Sequence, residues 1–399
     1  MSKKLADVFV VAAKRTPFGA FGGKLRGLTA TELGAHAAKA ALASLPAGTP
    51  VDSVIVGNVC QTSTDAAYLA RHVGLRAGLP VEVPALTVNR LCGSGFQAVI
   101  NAAHEIRLGE AEVVLTGGSE SMSQAPYALR DARWGTRYGV DLKLEDTLAA
   151  ALVDRYPTQC PMGVTAENLA TKYNLTRADC DQYALESQQR AAKAQEAGIF
   201  KTEISPIELK TRKGTELVEA DEHPRPQTTL ASLAKLPAVF KRPDGTVTAG
   251  NASGICDGAA AVVVASAEAV SKYNLKPLAR LVAYQVSGVE PTIMGIGPVP
   301  AIKGALARAN LSLKDMSMIE VNEAFAAQYL AVERELGLNR EITNAHGGAI
   351  AIGHPLAASG SRILAHLTHE LQRQGKQFAL GSACIGGGQG IAVILENVA

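Results

Sequence analysis

A cysteine set among small and flexible residues gives this sequence its first chemical signal. The segment Asn89-Arg90-Leu91-Cys92-Gly93-Ser94-Gly95 precedes a stretch in which Phe96, Val99, Ile100 and Ala103 recur at i, i+3, i+4 and i+7. That spacing predicts a helix with one buried face, and Gly109 is placed to end it. Cys92 then stands at a strand-to-helix junction, on the positive end of the helix dipole. A thiol with an ordinary pKa of about 8.5 is expected there to fall to roughly 3.5–7.5. The flanking glycines are expected to let a substrate carbonyl approach backbone N–H groups. The competing reading is a structural thiol beside a glycine-rich phosphate loop.

Two further clusters strengthen the nucleophile reading. Asn344-Ala345-His346-Gly347-Gly348-Ala349-Ile350-Ala351-Ile352-Gly353-His354-Pro355 is a glycine-rich turn with a histidine at its tip. A neutral His354 imidazole there could take the proton of Cys92 and later donate to a thioester oxygen; His346 is its rival. Cys384-Ile385-Gly386-Gly387-Gly388 places a second thiol at a strand end beside flexible backbone. Thioester chemistry of this kind needs one group to carry the acyl chain and another to move a proton at carbon, and a second tuned thiol suits the latter. Exposed glycine N–H groups can stabilise an oxyanion. Cys60, Cys160, Cys180 and Cys256 lack such a setting and read as small hydrophobes.

The elements that must position these turns come in two matching series. Strands near 7–12, 52–58 and 112–118 have counterparts near 280–283, 318–323 and 378–382, in the same order, which is the mark of an internal duplication within an α/β fold. The glycine-containing approach 253–258 and the strand after it match 383–390 and 391–395. In the second half that strand follows its predecessor at once, whereas in the first a long segment intervenes. The division expected is 1–120 and 250–272 for the first half, 121–249 for an inserted loop domain, and 273–399 for the second half. By the repeat, the His354 turn takes the place that the Cys92 turn has in the first half, so a pseudo-twofold brings both to one cleft. The insert is expected to hold a helix from Thr176 to Gly198 and irregular cationic stretches at 210–213 and 225–242.

The 399 residues carry a net charge of +2 and are 47% hydrophobic. That balance gives no strong field toward nucleic acid or an anionic membrane. The longest apolar run, near 259–265, is far too short to span a bilayer. The six cysteines are scattered, with no C-x-x-C pair and no histidine at zinc spacing. They read as reduced thiols, not as a disulfide frame or a metal site.

Asn89 to Gly95, Asn322-Glu323-Ala324-Phe325-Ala326, Gly353-His354-Pro355 and Cys384-Ile385-Gly386-Gly387-Gly388 together resemble the thiolase family, over essentially the whole chain. The resemblance implies two β-α-β-α-β-α-β-β halves forming a five-layered α-β-α-β-α core, with the loop domain inserted in the first half. It implies Cys92 as acyl-accepting nucleophile, His354 as its activator and Cys384 as acid/base at the substrate α-carbon. Asn322 would hold a water that forms one oxyanion hole with His354, and the N–H groups of Cys92 and Gly386 would form the other. Arg225 and Thr228 would contact the nucleotide end of coenzyme A and Ser253 its pantetheine. An arginine suits a CoA phosphate.

Stretches 10–19, 221–230 and 246–254 are most similar to the mitochondrial branch that cleaves 3-ketoacyl-CoA thiolytically in fatty acid β-oxidation, a reaction reversible as a Claisen condensation. Many acetoacetyl-CoA thiolases carry His-Met where this chain has Pro161-Met162, so a dedicated synthetic enzyme is the lesser alternative. The expected partners are CoA and acyl-CoA thioesters, CoA being a substrate, with no separate cofactor, no nucleic acid and a homotetrameric assembly. The expected location is the mitochondrial matrix without an obvious cleavable presequence, the bacterial cytoplasm being the alternative. Two other readings remain: a cysteine thioester hydrolase, which needs neither Cys384 nor a CoA loop, and a non-catalytic relative, which would be expected to lose a reactive residue.

Overall fold

Two runs rich in valine, alanine and glycine lie side by side in the middle of the molecule because neither can leave a face to water. They are Val113–Ser121, buried throughout, and Cys256–Ser266, buried at all but its last residue. Near-continuous small apolar runs of this kind are what a strand covered on both faces requires.

The computed structural model describes residues 6–157, 159–212 and 214–398. In chain order the elements that position the site are β1 (Val8–Arg15), α1 (Ala30–Leu42), β2 (Ser53–Gly57), β3 (Ala85–Val88), α2 (Ser94–Leu108), β4 (Val113–Ser121), α3 (Arg177–Glu196), β5 (Cys256–Ser266), β6 (Ala279–Gly288), α4 (Pro298–Ala309), β7 (Met318–Val321), α5 (Ala326–Leu336), α6 (Ala358–Gln374), β8 (Phe378–Ile385) and β9 (Gln389–Asn397). The strands form one mixed sheet in the order β7-β8-β9-β6-β1-β5-β4-β2-β3, with Gly19–Ala20 paired to β5.

The seam between β1 and β6 is a line of correspondence. On one side run β1-β5-β4-β2-β3, on the other β6-β9-β8-β7, and a parallel bridge from Thr343 to Ile319 stands where β3 does. β5 and β9 are antiparallel to both neighbours, while β4–β2 and β8–β7 are parallel. Helices α2 and α6 pack on each other and on strands of both sides, α1 covers the far face of β5 and β4, and α4 covers the far face of β6 and β9. The single sheet thus lies as two layers, one on each side of α2 and α6, giving helix, sheet, helix, sheet, helix.

The middle layer changes one expectation. α2 ends at Gly109, in the left-handed conformation (φ 78°), as its sequence predicts. Its burial is not confined to one face, since Ala98 and Ala102 are as buried as Phe96 and Val99. A helix between two sheets has no solvent face through its first turns. Its side chains join Ile363, Leu364, Leu367 and Leu371 of α6 with Val262, Val393 and Leu395 in one core.

The segment between β4 and β5 carries α3, which opens on a Thr176–Asp179 capping box. It is tied down by a fully buried arginine. Arg15 Nε meets Glu203 at 2.7 Å, its Nη1 and Nη2 meet Asp221 at 2.7 and 2.9 Å, and His366 of α6 reaches the other Glu203 oxygen at 2.7 Å. The stretch read as irregular at 210–213 is instead the turn end of a hairpin, Ile207–Thr211 paired with Gly214–Val218. Ile207 and Val218 are buried under it, and its charged residues face solvent. Lys213 lies outside the described residues. Within 225–242 a short helix, Leu230–Ala234, is capped by Thr229.

Burial alone would raise the Glu203 carboxyl, but His366 and Arg15 hold it well below the usual carboxylate range. The stabilisation is therefore present above an unfolded pKa of about 4.3 and lost as pH falls below it. Arg15→Met strands two buried carboxylates and should cost about 3–5 kcal/mol at pH 7. Denaturant midpoints should fall accordingly, with a smaller gap to the parent protein at acid pH. An unchanged midpoint at pH 7 would contradict the anchoring role.

Candidate active site

The chain enters the Cys92 turn from β3 and leaves it as α2. Leu91 is held at φ 47°, the left-handed region that a branched side chain rarely adopts. Two local hydrogen-bonding side chains maintain it. Asn89 Oδ1 accepts from Leu91 N at 2.9 Å; Ser94 Oγ accepts from Arg90 N at 2.9 Å and donates to the Leu91 carbonyl at 2.7 Å. The elbow leaves Cys92 partly exposed, between a partly buried Leu91 and a buried Gly93. Main-chain N–H groups of Gly386 and of Cys92 itself lie near its sulfur and favour the thiolate form.

The glycines beside Cys92 are required by packing. A Cβ on Gly93 would come within 2.5 Å of Ile385, and one on Gly95 within 2.4 Å of Ser361 N. Reciprocally, a Cβ on Gly360 would come within 2.4 Å of Phe96 N. The starts of α2 and α6 therefore touch backbone to backbone. Arg90 Nη1 adds a 2.8 Å bond to Gln389, across the tight Ile385–Gln389 hairpin in which Gly387 and Gly388 take φ of 77° and 78°.

The contact delivers the His354 turn. Gly353 adopts φ 105°, and His354 N donates to the Gly254 carbonyl at 2.9 Å. The imidazole is buried, with Nδ1 2.6 Å from Ser359 Oγ. Ser359 Oγ donates to the Pro355 carbonyl at 3.1 Å, so its oxygen is left to accept from Nδ1–H, a tautomer assigned from this network that places the lone pair on Nε2. Asn322 Nδ2 lies 3.4 and 3.5 Å from the two ring nitrogens. Its Oδ1 is buried without a hydrogen-bond partner among the described residues. His346 is committed elsewhere, to His366 at 2.9 Å and beside Glu370.

Asn322 follows β7, and its N–H donates to Ser382 on β8 at 2.9 Å. The next residue, Glu323, is a buried clamp: it accepts from Tyr183, Ser187, Asn344 and Ile350 N. Those bonds tie α3 to the 344–354 turn. Cys384 lies within β8, fully buried against Met294 and Ala324, with Met162 and Phe325 alongside.

Electrostatics overturn one expectation. Burial is the largest influence on Cys92, and with the nearby Glu120 charge it outweighs the two N–H groups, so the thiol is pushed up to about 11. The helix start does not make it a resting thiolate. Burial likewise raises Cys384 and holds His354 down to about 4. In the substrate-free site the Cys92 thiol and the His354 imidazole are thus both neutral, and the thiolate must be made by proton transfer.

Three residues near the site escaped the sequence reading. Cys60, taken as a plain hydrophobe, shares one apolar cluster with Cys92, Met122, Leu148 and Leu356. Ser359 contacts His354 from five positions along the same segment, whereas Glu120 reaches the catalytic turns only through the fold, although an acidic residue closing the apolar run of β4 was a signal. Cys160, Cys180 and Cys256 are buried.

The residues expected to hold CoA stand on segments that adjoin the His354 turn. Arg225 is exposed, with Nη1 folded onto the carbonyls of Glu222, His223 and Pro224 at 2.9, 2.7 and 3.2 Å. Thr228 Oγ1 donates to the Arg225 carbonyl at 2.7 Å. Their loop packs on the His354 turn through His223, whose Nδ1 is 3.1 Å from the Ala351 carbonyl. Ser253 N donates to Ala324 at 2.9 Å, one residue before the carbonyl that holds His354 N.

The chain matches the family models for the thiolase N-terminal domain over residues 8–268 and the thiolase C-terminal domain over 275–397. It is 64% identical over 396 residues to human mitochondrial 3-ketoacyl-CoA thiolase, covering 99% of each chain. A crystal structure of that human protein superposes with a TM-score of 0.97 at 63% identity, covering 99% of this chain and 100% of the other. A second, in complex with CoA, does so at 0.95 and 62%, covering 98% of each. With its duplicated sheets, its two facing turns and this agreement along the whole length, the chain belongs to the thiolase family.

Proposed function

We propose that the chain cleaves 3-ketoacyl-CoA with coenzyme A, releasing acetyl-CoA and a shortened acyl-CoA as in fatty acid β-oxidation, through an acyl group carried on Cys92. The observation that carries this reading is the close packing of the Cys92 turn on the start of the helix that follows His354, with the buried Cys384 thiol one residue from the Ile385 that packs on Gly93. The relatives named as 3-ketoacyl-CoA thiolases and the CoA complex of one of them support it.

In this reading His354 Nε2 accepts the proton as the Cys92 sulfur attacks C3 of the substrate. The C3 oxygen gains charge and is met by the N–H groups of Cys92 and Gly386. The C2–C3 bond then breaks, leaving the acyl group on sulfur and the enolate of acetyl-CoA. Cys384 gives its proton to C2; a raised thiol pKa suits this, because the group is protonated before the event. The enolate oxygen is held by the protonated His354 together with a water on Asn322. A new CoA thiol next attacks the acyl-cysteine and passes its proton to the Cys384 thiolate, while His354 returns its proton to the departing Cys92. Every proton is restored after one turnover.

Arg225 and Thr228 would hold the nucleotide end of CoA and Ser253 its pantetheine, with residues 121–249 forming the CoA-bearing loop domain of a chain whose halves are 1–120 with 250–272, and 273–399. The matrix of the mitochondrion is the compartment this reading favours. A homotetramer is its assembly, to which the exposed apolar residues Trp134, Tyr138 and Leu144 of the arm after β4 would contribute surface. A mainly synthetic acetoacetyl-CoA role is not favoured, since the relatives at 63–64% identity are 3-ketoacyl-CoA thiolases.

Supplied with a 3-ketoacyl-CoA and CoA, the protein should form acetyl-CoA, and failure to do so would refute the reading. Cys384→Ala should still exchange labelled CoA with acyl-CoA, at a reduced rate because water must take the CoA thiol's proton in place of Cys384, while losing thiolysis by at least the ~10²–10⁴-fold usual for a general acid/base. Cys92→Ala should lose both reactions. Loss of CoA exchange with survival of α-proton exchange in Cys384→Ala would reverse the assignment.

Arg225→Ala should raise KM for CoA more than it lowers kcat, because ground and transition states share that contact. A loss confined to kcat would count against the CoA role.

A further inference from the structure

At the end of β4 a carboxylate is wholly buried with no cation paired to it among the described residues. Glu120 Oε1 accepts from Cys60 N at 2.9 Å and Asn58 Nδ2 at 3.1 Å, and Oε2 from Ala357 N at 3.0 Å and Val59 N at 3.2 Å. All four partners are donors. A carboxylate satisfies such a set; a carboxylic acid or an amide brings a hydrogen that finds no acceptor there. The donors come from two separate parts of the chain. Three belong to the turn after β2, which packs with Cys92 in one apolar cluster. The fourth is the residue that opens α6, three positions after His354, where the helix start favours negative charge.

Neighbouring contacts fix the geometry further. A Cβ on Gly118, two residues before Glu120, would come within 1.9 Å of the Ala357 carbonyl. β4 therefore lies flush against the start of α6, and the Glu120 side chain completes that junction by taking the Ala357 N–H. We infer that Glu120 is a positioning residue for the reaction, its buried carboxylate gathering the 58–60 turn and the start of α6 so that the His354 turn is held in register with the Cys92 turn. The inference rests on the thiolytic reading above.

The charge has a second consequence. Burial, the largest cause, pushes the Glu120 carboxyl up to about 7, while its donors pull it down. Cys60 and Cys92 face it from one side, and Cys256 and Asp257 of β5 from another. Above neutrality the ionised carboxylate opposes thiolate formation at Cys92 in the substrate-free enzyme.

Glu120→Gln and Glu120→Asp separate position from charge. In the intact enzyme, both should lower kcat for thiolysis by ~10–100-fold, the scale expected when reacting groups are misplaced by about 1 Å, with KM for CoA little changed. Iodoacetamide labelling of Cys92 against pH, read by peptide mapping, should move to lower pH in Glu120→Gln and stay near the parent profile in Glu120→Asp. A purely structural residue would not split the variants in this way. Parental kcat in a folded Glu120→Gln, an unshifted labelling profile, or failure of both variants to fold would overturn the inference. Absence of thiolysis in the parent enzyme would instead overturn the reading beneath it.

Discussion

The site depends on one steric contact, the backbone-to-backbone meeting of α2 and α6 at their first turns. Gly95 admits Ser361, and Gly360 admits Phe96, each at a distance no Cβ could tolerate. The reciprocity follows from the pseudo-twofold between the halves: the residue after each glycine fills the space opposite. Because the Cys92 turn ends at α2 and the His354 turn ends at α6, this contact brings the two turns together. Close packing makes it unforgiving, since a methyl group has nowhere to go between two helix backbones. Substitution of either glycine would separate the turns before it touched any reacting atom.

Around that contact the protein holds both reactive groups neutral. Helix starts attract negative charge, but here desolvation wins, and Glu120 adds a like charge for any thiolate to oppose. A resting thiol is less open to stray electrophiles and oxidants than a thiolate would be. The cost of creating the ion pair is deferred until a substrate oxygen lies under the Cys92 and Gly386 N–H groups. Stabilisation that appears only as charge develops lowers the barrier without tightening the ground state. The raised thiol of Cys384 fits the same logic, because a proton donor must be loaded before the carbanion forms.

Much of this was legible in the residues. The alternation of strands and helices, the matching order of 7–12, 52–58 and 112–118 with 280–283, 318–323 and 378–382, and the capped helix after Thr176 all follow from local patterns. The Cys92 and His354 turns were readable because glycine, proline and a reactive side chain cluster within a few positions. What could not be read depends on distance along the chain. Glu120 meets Ala357 across 237 positions, and Arg15 meets Asp221 across 206. The glycines at 93 and 95 look like freedom for a ligand, but Ile385 of β8 and the start of α6 take up the space beside them. The direction of the Cys92 shift was misjudged for the same reason: the dipole is local, but burial is a property of the assembled layers.

The central claim is that Cys92 carries the acyl group while Cys384 moves the proton. Rapid quench of the enzyme with a radiolabelled acyl-CoA, followed by peptide mapping, tests it most directly. The label should reside on the peptide containing Cys92 and be released as acyl-CoA when free CoA is added. Label on the peptide containing Cys384, or none on either while thiolysis proceeds, would contradict the account.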